Sequence, residues 1–400
     1  MPEANKGVVT TARSPDVMRV VQVPVVLSGL LVLAAGALFL GIDSWRYGAL
    51  FVIGALLGVS LYHASFGFTA AYRNAILHRD ISGIVGQLVM IGLAMLLFAP
   101  FLAAGEAFGR PVGGAVAPAG VRVALGSFIF GLGMQLGGGC GSGTLFTVGG
   151  GSTRMVVTLI AFCAGAFAGS LDAFQLPALP TLGAVSFGKT MGWPLAIALQ
   201  TGLLVAVWLA FRAWAGDRPQ RPIWGDGLSA RSLLVGPWPL LFAACLLAVL
   251  NLLTLFVAGH PWTVTWAFTL WAAEIAQALG WNPAETRFWS GGFPGRALEG
   301  NLFRDNITIM NVGIMLGALT AAGAAGRFAP MLKIPLRSLA AAVIGGLLMG
   351  YGARLAFGCN IGAFVSGAAS FSLHAWIWIL FAFAGTWVGV KMRPWFGFSD

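Results

Sequence analysis

Long apolar runs separated by short polar stretches dominate the hydropathy pattern of this chain. The hydrocarbon core of a bilayer requires about 17 to 25 predominantly apolar residues per helix. Runs of this length predict ten membrane-spanning helices, near residues 20–42, 48–66, 82–104, 119–137, 154–172, 190–212, 236–258, 306–325, 338–357 and 372–391. A further apolar stretch, 262–280, contains Glu274 and is followed by Asn282 and Pro283, which predicts an interfacial or partly inserted helix.

The basic residues between the runs indicate the orientation of the chain. If the N-terminus is cytoplasmic, most Lys and Arg residues fall in cytoplasmic loops and few fall in outer ones. Because cytoplasmic loops carry such an excess, both termini are predicted to be cytoplasmic. The polar connector 213–235, which includes "GDRPQRPIWGDG", divides a single transmembrane domain into a first half, 1–212, and a second half, 236–400.

Composition narrows the class of protein. Of the 400 residues, 58% are hydrophobic and 9% are charged, whereas about a quarter are charged in an average soluble domain. This excludes a soluble globule and predicts an all-α polytopic membrane protein. The net charge of +10 comes from scattered residues, so nucleic acid is not an expected partner. The four cysteines form no C-x-x-C pair, and no ATPase or hydrolase motif occurs. We therefore expect no cofactor, no metal site, no catalytic residues and no enzymatic activity.

One glycine-rich block occurs twice. The segment "GSFIFGLGMQLGGGCGSG" (126–143) matches "GGLLMGYGARLAFGCNIG" (345–362) at a constant spacing. The blocks close the fourth and the ninth run, so they have opposite orientations and predict two inverted five-helix halves. The matching residues are Gly126, Gly131, Gly133, Leu136, Gly139, Cys140 and Gly143 in the first block and Gly345, Gly350, Gly352, Leu355, Gly358, Cys359 and Gly362 in the second.

Cys140 and Cys359 occupy the same place in the two blocks, each within a glycine-rich stretch. Non-helical backbone at membrane depth is tolerated only where protein buries it or where it lines a watery cavity. The pattern therefore predicts Cys- and Gly-rich re-entrant or broken segments at the centre, whose helix starts offer backbone N–H groups to an anion. The alternative is that these glycines only permit close helix crossing and that the cysteines are small buried apolar side chains.

Two arginines are further candidates. Arg354 lies inside the apolar run 338–357, where an ionisable side chain costs several kcal/mol unless it faces a polar interior. We predict that it attracts an anion, and the alternative is that it snorkels to an interface. Gln135 holds the matching position in the first block. Arg73 belongs to "SFGFTAAYRN" (65–74), which is either a pore mouth or a loop anchor.

Three segments resemble blocks of the YeeE/YedE sulfur-transport family. The stretch 341–391 is similar to its G-x-G-x-R-L-x-x-G-C-N block, "GLGMQLGGGCGSG" to the partner block, and "FGFTAAYRN" to the C-F-x-x-A-x-R-D block. The resemblance implies a transporter of thiosulfate or a related sulfur or selenium anion in the cytoplasmic membrane. It makes Cys140 and Cys359 path residues, whereas the remaining path cysteine of the family falls at Gly67, where this chain has none.

The sequence thus predicts uptake of a small sulfur-containing anion through a central cysteine-lined path. The predicted path comprises Cys140, Cys359, Gly139, Gly143, Gly358, Gly362, Arg354, Gln135, Asn360, Gly67 and Arg73. The expected partners are this anion, the lipid bilayer and, by the resemblance alone, a small cytoplasmic sulfur-carrier protein. A membrane-bound sulfurtransferase that carries a persulfide on Cys140 and a plain anion channel are the alternatives.

Overall fold

The computed structural model describes residues 20–172, 179–225, 227–331 and 333–398. The chain is 74% helical, and within the described ranges ten helical stretches are long and apolar enough to cross a membrane. The prediction of an all-α polytopic membrane protein is confirmed. The principal helices are α1 (Val23–Asp43), α2 (Trp45–His63), α3 (Phe68–His78), α4 (Ser82–Ala104), α5 (Val121–Gly137), α6 (Gly141–Gly149), α7 (Thr153–Asp172), α8 (Phe187–Met191), α9 (Trp193–Ala215), α10 (Ala230–Val235), α11 (Leu240–Ala258), α12 (Thr265–Ala278), α13 (Gly292–Leu298), α14 (Asn306–Ala324), α15 (Leu336–Leu355), α16 (Ser366–Ala369) and α17 (Leu373–Met392).

The remaining elements are short. A single π-helical segment, Asn360–Val365, leads into α16 within the described residues. The 3₁₀ turns are Pro283–Glu285, Leu302–Arg304 and Arg393–Phe396. Two small antiparallel ribbons pair β1 (Glu106–Ala107) with β2 (Arg110–Pro111) and β3 (Pro118–Gly120) with β4 (Thr181–Ala184). These ribbons lie between the long helices and contribute little to the core.

In the described part of the chain, four long helices are followed by a left-handed residue and then, within a few residues, by a further helical segment. Ser65 (φ 49°) separates α2 from α3, and Gly138 (φ 91°) separates α5 from α6. Gly259 (φ 80°) follows α11, and Phe357 (φ 58°) follows α15 ahead of the π-helical segment. A left-handed residue ends the ladder of helical hydrogen bonds and lets the chain change direction. Two of these breaks coincide with the cysteine blocks.

Close helix pairs form the core of the molecule. Helix α2 runs parallel to α14, with Gly54 against Met310 and Gly58 against Ile314. Helix α5 packs against both α15 and α17, and α15 also packs along α7. A Cβ on several of the contacting glycines would meet the backbone of the partner helix, so their lack of a side chain lets the axes approach.

The two repeat blocks contact each other reciprocally. A Cβ built on Gly126 would lie 2.7 Å from the carbonyl oxygen of Gly352, and one built on Gly133 would lie 2.9 Å from that of Gly345. Gly126 matches Gly345 in the repeat, and Gly133 matches Gly352. Helices α5 and α15 are therefore antiparallel, with equivalent positions exchanged across their crossing. A two-fold axis that relates the two halves of the chain would produce this pattern. The contacts therefore support the inverted repeat, which stays a prediction.

The helix predicted over 262–280 is observed as α12. Its first turns are buried, with Thr265, Phe268 and Leu270 shielded from solvent, and it packs against α7 and α14. Thr265 lies beside Gly141, next to the first cysteine. The first half of α12 is therefore packed inside the protein, and its position relative to the membrane stays a prediction.

Candidate functional site

The two predicted cysteines meet at the breaks of α5 and α15. Cys140 is the N-cap residue of α6, and Cys359 is the N-cap residue of the π-helical segment. Their exposed fractions are 1% and 0%. A Cβ built on Gly141 would lie 2.8 Å from Sγ of Cys359, so this thiol rests on the backbone next to Cys140. Positions far apart in sequence thus form one buried pair of thiols.

Backbone N–H groups surround both thiols. The N–H of Gly143 donates to Sγ of Cys140 at 3.4 Å, and the amide of Phe68, at the start of α3, is also within its reach. The amides of Ile361 and Gly362 face Sγ of Cys359. The first turn of a helix carries N–H groups without a helical partner and a partial positive charge. The pair therefore lies where several helix starts converge and direct N–H donors toward one place.

The block glycines admit this geometry for different reasons. Gly358 has φ 145°, a conformation open to glycine alone among common residues. A Cβ on Gly362 would press on Oγ1 of Thr263 at 2.7 Å, and one on Gly139 would press on Cε of Met155 at 3.0 Å. A Cβ on Gly143 would lie 3.3 Å from Sγ of Cys140. All four predicted glycines therefore lie at or beside the thiol pair.

Polar side chains with unused hydrogen-bonding atoms lie near the thiols. Gln135 donates from Nε2 to the carbonyl of Thr69 at 3.0 Å, and Nδ2 of Asn360 lies 3.4 Å from the hydroxyl of Tyr72. Oε1 of Gln135, Oδ1 of Asn360 and Oγ1 of Thr69 are buried without a hydrogen-bond partner among the described residues. Buried polar atoms are rarely left unpaired. A permeant or a water molecule at this place would supply the missing partners.

Arg354 faces the other side of the pair. Its guanidinium lies 4.3 Å from the ring centroid of Phe288, and no described residue accepts a hydrogen bond from its Nε. It lines a small cavity of about 60 Å³ together with Thr265, Phe357 and Gly358. This cavity adjoins Cys359 through Gly358. Arg354 is half-buried, and the unpaired Nε leaves part of its guanidinium available to a ligand.

Two larger cavities of about 570 Å³ each approach the thiols from opposite ends. The connector cavity lies at the C-terminal end of α2, where Ser65, Gly67 and Trp224 line it. The arginine cavity lies at the N-terminal end of α14, where Arg304 and Arg354 line it. Because α2 and α14 are parallel, the two cavities open toward opposite faces of the protein. The connector cavity comes nearest to Cys140 at Gly67, next to the Phe68 amide, and the arginine cavity comes nearest to Cys359 at Gly362.

Hydrogen bonds hold the connector against the first of these cavities. Nε of Arg221 bonds Oδ2 of Asp80 at 2.5 Å, and the side chain of Gln220 accepts from the N–H of Ile81. Although burial acts to raise it, hydrogen bonds from Ser82 and Arg221 lower the pKa of Asp80. The carboxylate is therefore charged at neutral pH and anchors the connector.

An acidic group is also present in the arginine cavity. Asp305 lines this cavity and caps α14 by accepting from the N–H of Thr308 at 2.7 Å. Burial raises the pKa of Asp305, against the hydrogen bonds from Thr308. Arg304 is paired with Asp43 at 2.8 Å, so Arg354 is the lining arginine that has no such ion pair among the described residues.

Gly67 and Arg73 differ from the other predicted residues. Gly67 is the N-cap of α3 and lines the connector cavity, one residue before the Phe68 amide that faces Cys140. Arg73 is half-buried on α3 and lines neither large cavity. The structure thus brings Gly67 to the pair and leaves Arg73 away from the cavities.

Sequence reasoning missed the contribution of the α11–α12 break. The break places Thr263 beside Gly362 and Thr265, the first residue of α12, beside Gly141, although residues 259–265 contain no cysteine and no glycine cluster. The available signal was Gly259 followed by Pro261 inside an apolar region, a combination that ends helices. Tyr72 and Thr69 were missed because their contacts join residues distant in sequence.

Residues 63–388 match the model of the Sulphur transport family. The chain belongs to this family. The match includes all four helix breaks and both central cysteines. The resemblance to YeeE/YedE proteins seen in the sequence is thereby confirmed, as is a multi-pass membrane protein.

Two of three named relatives cover most of the chain. It is 29% identical over 353 residues to the thiosulfate transporter TsuA of Spirochaeta thermophila, which covers 84% of this chain and 96% of the relative. It is 25% identical over 376 residues to the thiosulfate transporter TsuA of Escherichia coli, with 86% and 94% covered. The probable transporter YedE of Escherichia coli is 34% identical over 155 residues, which are 39% of this chain and 37% of the relative.

A cysteine at position 67 is expected to be tolerated and to react with water-soluble thiol reagents. Gly67 has φ −112° and ψ 120°, and a Cβ there would meet nothing closer than 3.8 Å. The expected result for Gly67→Cys, made with Cys163→Ala and Cys245→Ala, is a folded protein that gains one reactive thiol in proteoliposomes. Mass spectrometry after treatment with a charged methanethiosulfonate reagent measures the gain.

The matched control for this experiment is Gly202→Cys. Gly202 also has open space around a built Cβ, but it lies on α9 among residues that face the bilayer. A charged reagent does not enter hydrocarbon, so the control thiol is expected to stay unmodified. Equal modification of both variants, or of neither, would contradict an aqueous connector cavity that reaches Gly67.

Proposed function

We propose that this protein takes up thiosulfate, or a similar small sulfur or selenium oxyanion, across the cytoplasmic membrane past Cys140 and Cys359. The observation that carries the proposal is a pair of buried thiols at two backbone breaks, with a cavity approaching from each face. The names of the two TsuA relatives support a sulfur anion as the substrate. The thiols are the narrow point that the anion passes.

The chemistry of this point suits an anion that has a sulfur end and an oxygen end. A thiol is a weak S–H donor and a polarisable contact for sulfur. The amides of Gly143, Phe68 and Gly362 can hydrogen-bond the oxygens without adding a full charge. Binding is then favourable enough for entry and weak enough for release, as passage through a pore requires.

Arg354 gives the path a positive entrance. An arginine at membrane depth is costly unless it serves a polar site, and its Nε has no partner among the described residues. In the proposed orientation, the arginine cavity faces outward and captures the anion, while the connector cavity faces the cytoplasm. Both chain termini are cytoplasmic in this orientation, and a small cytoplasmic sulfur-carrier protein receives the sulfur.

Uptake into proteoliposomes tests the proposal. Vesicles that contain the purified protein are expected to accumulate radiolabelled thiosulfate down its gradient, faster than protein-free vesicles and in a saturable way. Unlabelled thiosulfate should compete more strongly than sulfate, because sulfate lacks the terminal sulfur that the thiols contact. Uptake no faster than in protein-free vesicles would refute the function, and strictly non-saturable uptake would favour the anion channel.

Mass spectrometry distinguishes the sulfurtransferase. An enzyme of that kind needs an accessible thiol of low pKa, whereas both central thiols are buried. The expected result after incubation with thiosulfate is uptake with Cys140 and Cys359 unmodified. A stable persulfide on Cys140 without uptake would replace the transporter with the sulfurtransferase.

A further inference from the structure

An apolar cavity separate from the thiol path opens between α4, α9 and α17. Its volume is about 360 Å³, and nearly all of its wall is hydrocarbon. Leu203, Val207 and Phe211 of α9 form one wall, and Leu380 and Phe383 of α17 form the facing wall. We call this cavity the α9 fissure. All three flanking helices are long and apolar enough to cross the membrane.

The floor of the fissure reaches the neighbourhood of the central site. Tyr72, Gln87 and Phe364 line it, and their exposed fractions are 2%, 3% and 4%. The ring of Tyr72 packs edge-on against Phe383 at 5.9 Å, and its hydroxyl lies 3.4 Å from Nδ2 of Asn360. Asn360 is the neighbour of Cys359. Tyr72 therefore separates the fissure from the residues beside the thiols.

Helix α9 leaves the fissure continuous with the bilayer. Only Ala196, Gln200, Leu204 and Ala215 are buried along its described length. Its outer faces expose large apolar side chains, including Leu199 and Leu209. Helix α9 contacts α17 at two places, where Nε1 of Trp376 donates to Oε1 of Gln200 at 2.9 Å and where the rings of Phe211 and Phe383 pack at 5.7 Å. Between these contacts the fissure opens toward the bilayer, because Leu203 and Leu380 both line it and are exposed.

The physical chemistry of the fissure selects its occupant. Protein interiors are packed densely, and an empty apolar gap loses the dispersion contacts of every side chain that lines it. Water is stable in a cavity only where it has several polar partners, and this wall offers almost none apart from Gln87. At this depth in a bilayer the available apolar molecule is a lipid.

We propose that one acyl chain of a membrane phospholipid occupies the α9 fissure and packs against Tyr72 and Phe364. The chain fills the gap that α9 leaves beside α17 and supports the side of Tyr72 opposite Asn360. A lipid thereby forms part of the wall behind the central site. The proposal rests on the membrane-spanning fold and stands whether or not the protein carries thiosulfate.

Photolabelling with a phospholipid tests this binding site. The full-length protein is reconstituted in vesicles of phosphatidylethanolamine and phosphatidylglycerol that contain a trace of phosphatidylethanolamine with a diazirine on its acyl chain. After irradiation, peptide mapping is expected to find adducts on the floor residues Tyr72 or Phe364 as well as on exposed Leu199 and Leu209. Adducts confined to the exposed residues would overturn the proposal.

Variants in which a tryptophan side chain fills the α9 fissure are compared with the wild type in the same labelling experiment. Val207→Trp places an indole in the gap, and we expect floor adducts to fall about tenfold because the acyl chain loses its space, with exposed adducts unchanged. The control is Val205→Trp, since Val205 lies two positions away, is exposed to the bilayer and does not line the fissure. Leu380→Trp fills the gap from the facing wall and repeats the test if Val207→Trp does not fold. Floor adducts that persist in both filled variants would refute the site.

Discussion

Alanine at Cys140 or at Cys359 is expected to reduce thiosulfate uptake by at least about tenfold. A hydrogen bond to a charged ligand is worth about 1.5 to 3 kcal/mol, and 1.4 kcal/mol corresponds to about tenfold. Both thiols are buried at the meeting point of two helix breaks, so water cannot replace the lost contact at no cost. Uptake in proteoliposomes measures the loss, and growth of a transport-deficient bacterium on thiosulfate as the sulfur source measures it independently.

The other two cysteines are the matched controls. Cys163 on α7 and Cys245 on α11 are half-buried and lie outside the helix breaks. We expect Cys163→Ala and Cys245→Ala to transport as the wild type does, because neither thiol belongs to the pair. If Cys140→Ala and Cys359→Ala both transported equally well, the cysteine path would be wrong.

Replacing Cys140 with serine distinguishes its role as the N-cap residue of α6 from its proposed role as a contact for the sulfur of the substrate. The thiol accepts the N–H of Gly143 and so caps α6, and losing an N-cap acceptor costs about 1 kcal/mol of stability. A serine hydroxyl can take over the cap but is not a soft contact for sulfur. Cys140→Ser is therefore expected to match the wild type in thermal stability and to resemble Cys140→Ala in uptake. Full uptake by the serine variant would assign Cys140 a capping role alone.

The spans were predictable because the hydrocarbon core imposes a length and a polarity on every crossing helix. The run predicted at 82–104 is α4 as observed, and most of the other runs differ from their helices by a few residues at each end. The end of α2 was misjudged. Its apolar pattern continues to Phe66, whereas the helix ends at His63 because Ser65 turns left-handed. A helix break at a residue other than glycine, such as Ser65, does not change the hydropathy pattern, so the pattern does not reveal it.

The central site was predictable to the extent that the repeat encodes it. Cys140 and Cys359 share a repeat position, and equivalent positions of two inverted halves meet near the axis that relates them. Their polar neighbours follow no such rule. Thr69, Tyr72 and Thr265 contact residues of the two cysteine blocks from α3 and α12, which carry no cysteine block of their own. Only the folded arrangement of four breaks brings these residues together.

The two repeat blocks, 126–143 and 345–362, differ in the charge of one matching side chain. Arg354 and Gln135 hold matching positions, but Arg354 lines the arginine cavity, whereas Gln135 lies buried with its amide bonded to Thr69. The block that ends at Cys359 therefore carries a charged side chain at a position where the block that ends at Cys140 carries a neutral one. Under the proposed function, this difference makes the arginine cavity the face at which the anion is captured.

Gly317→Ala is expected to destabilise the fold more than a substitution of any residue that lines the cavities. A Cβ at this position would overlap the carbonyl oxygen of Ala55, so α2 and α14 would have to separate. Forcing extra atoms into a packed contact costs about 1 to 3 kcal/mol, and this helix pair borders both large cavities. The expected result for Gly317→Ala is a clearly lower Tm and reduced yield of monodisperse protein, measured by thermal unfolding in detergent.

Gly202→Ala is the control that isolates the packing effect. Gly202 lies within α9 and a Cβ there would meet nothing within 4 Å. Alanine is favoured over glycine in a helix by about 1 kcal/mol, so this variant is expected to keep or raise the Tm. An equal fall in Tm in both variants would attribute the loss of stability to replacing a helical glycine at any position. A fall confined to Gly317→Ala would assign it to the α2–α14 contact, where the missing side chain lets two backbones touch.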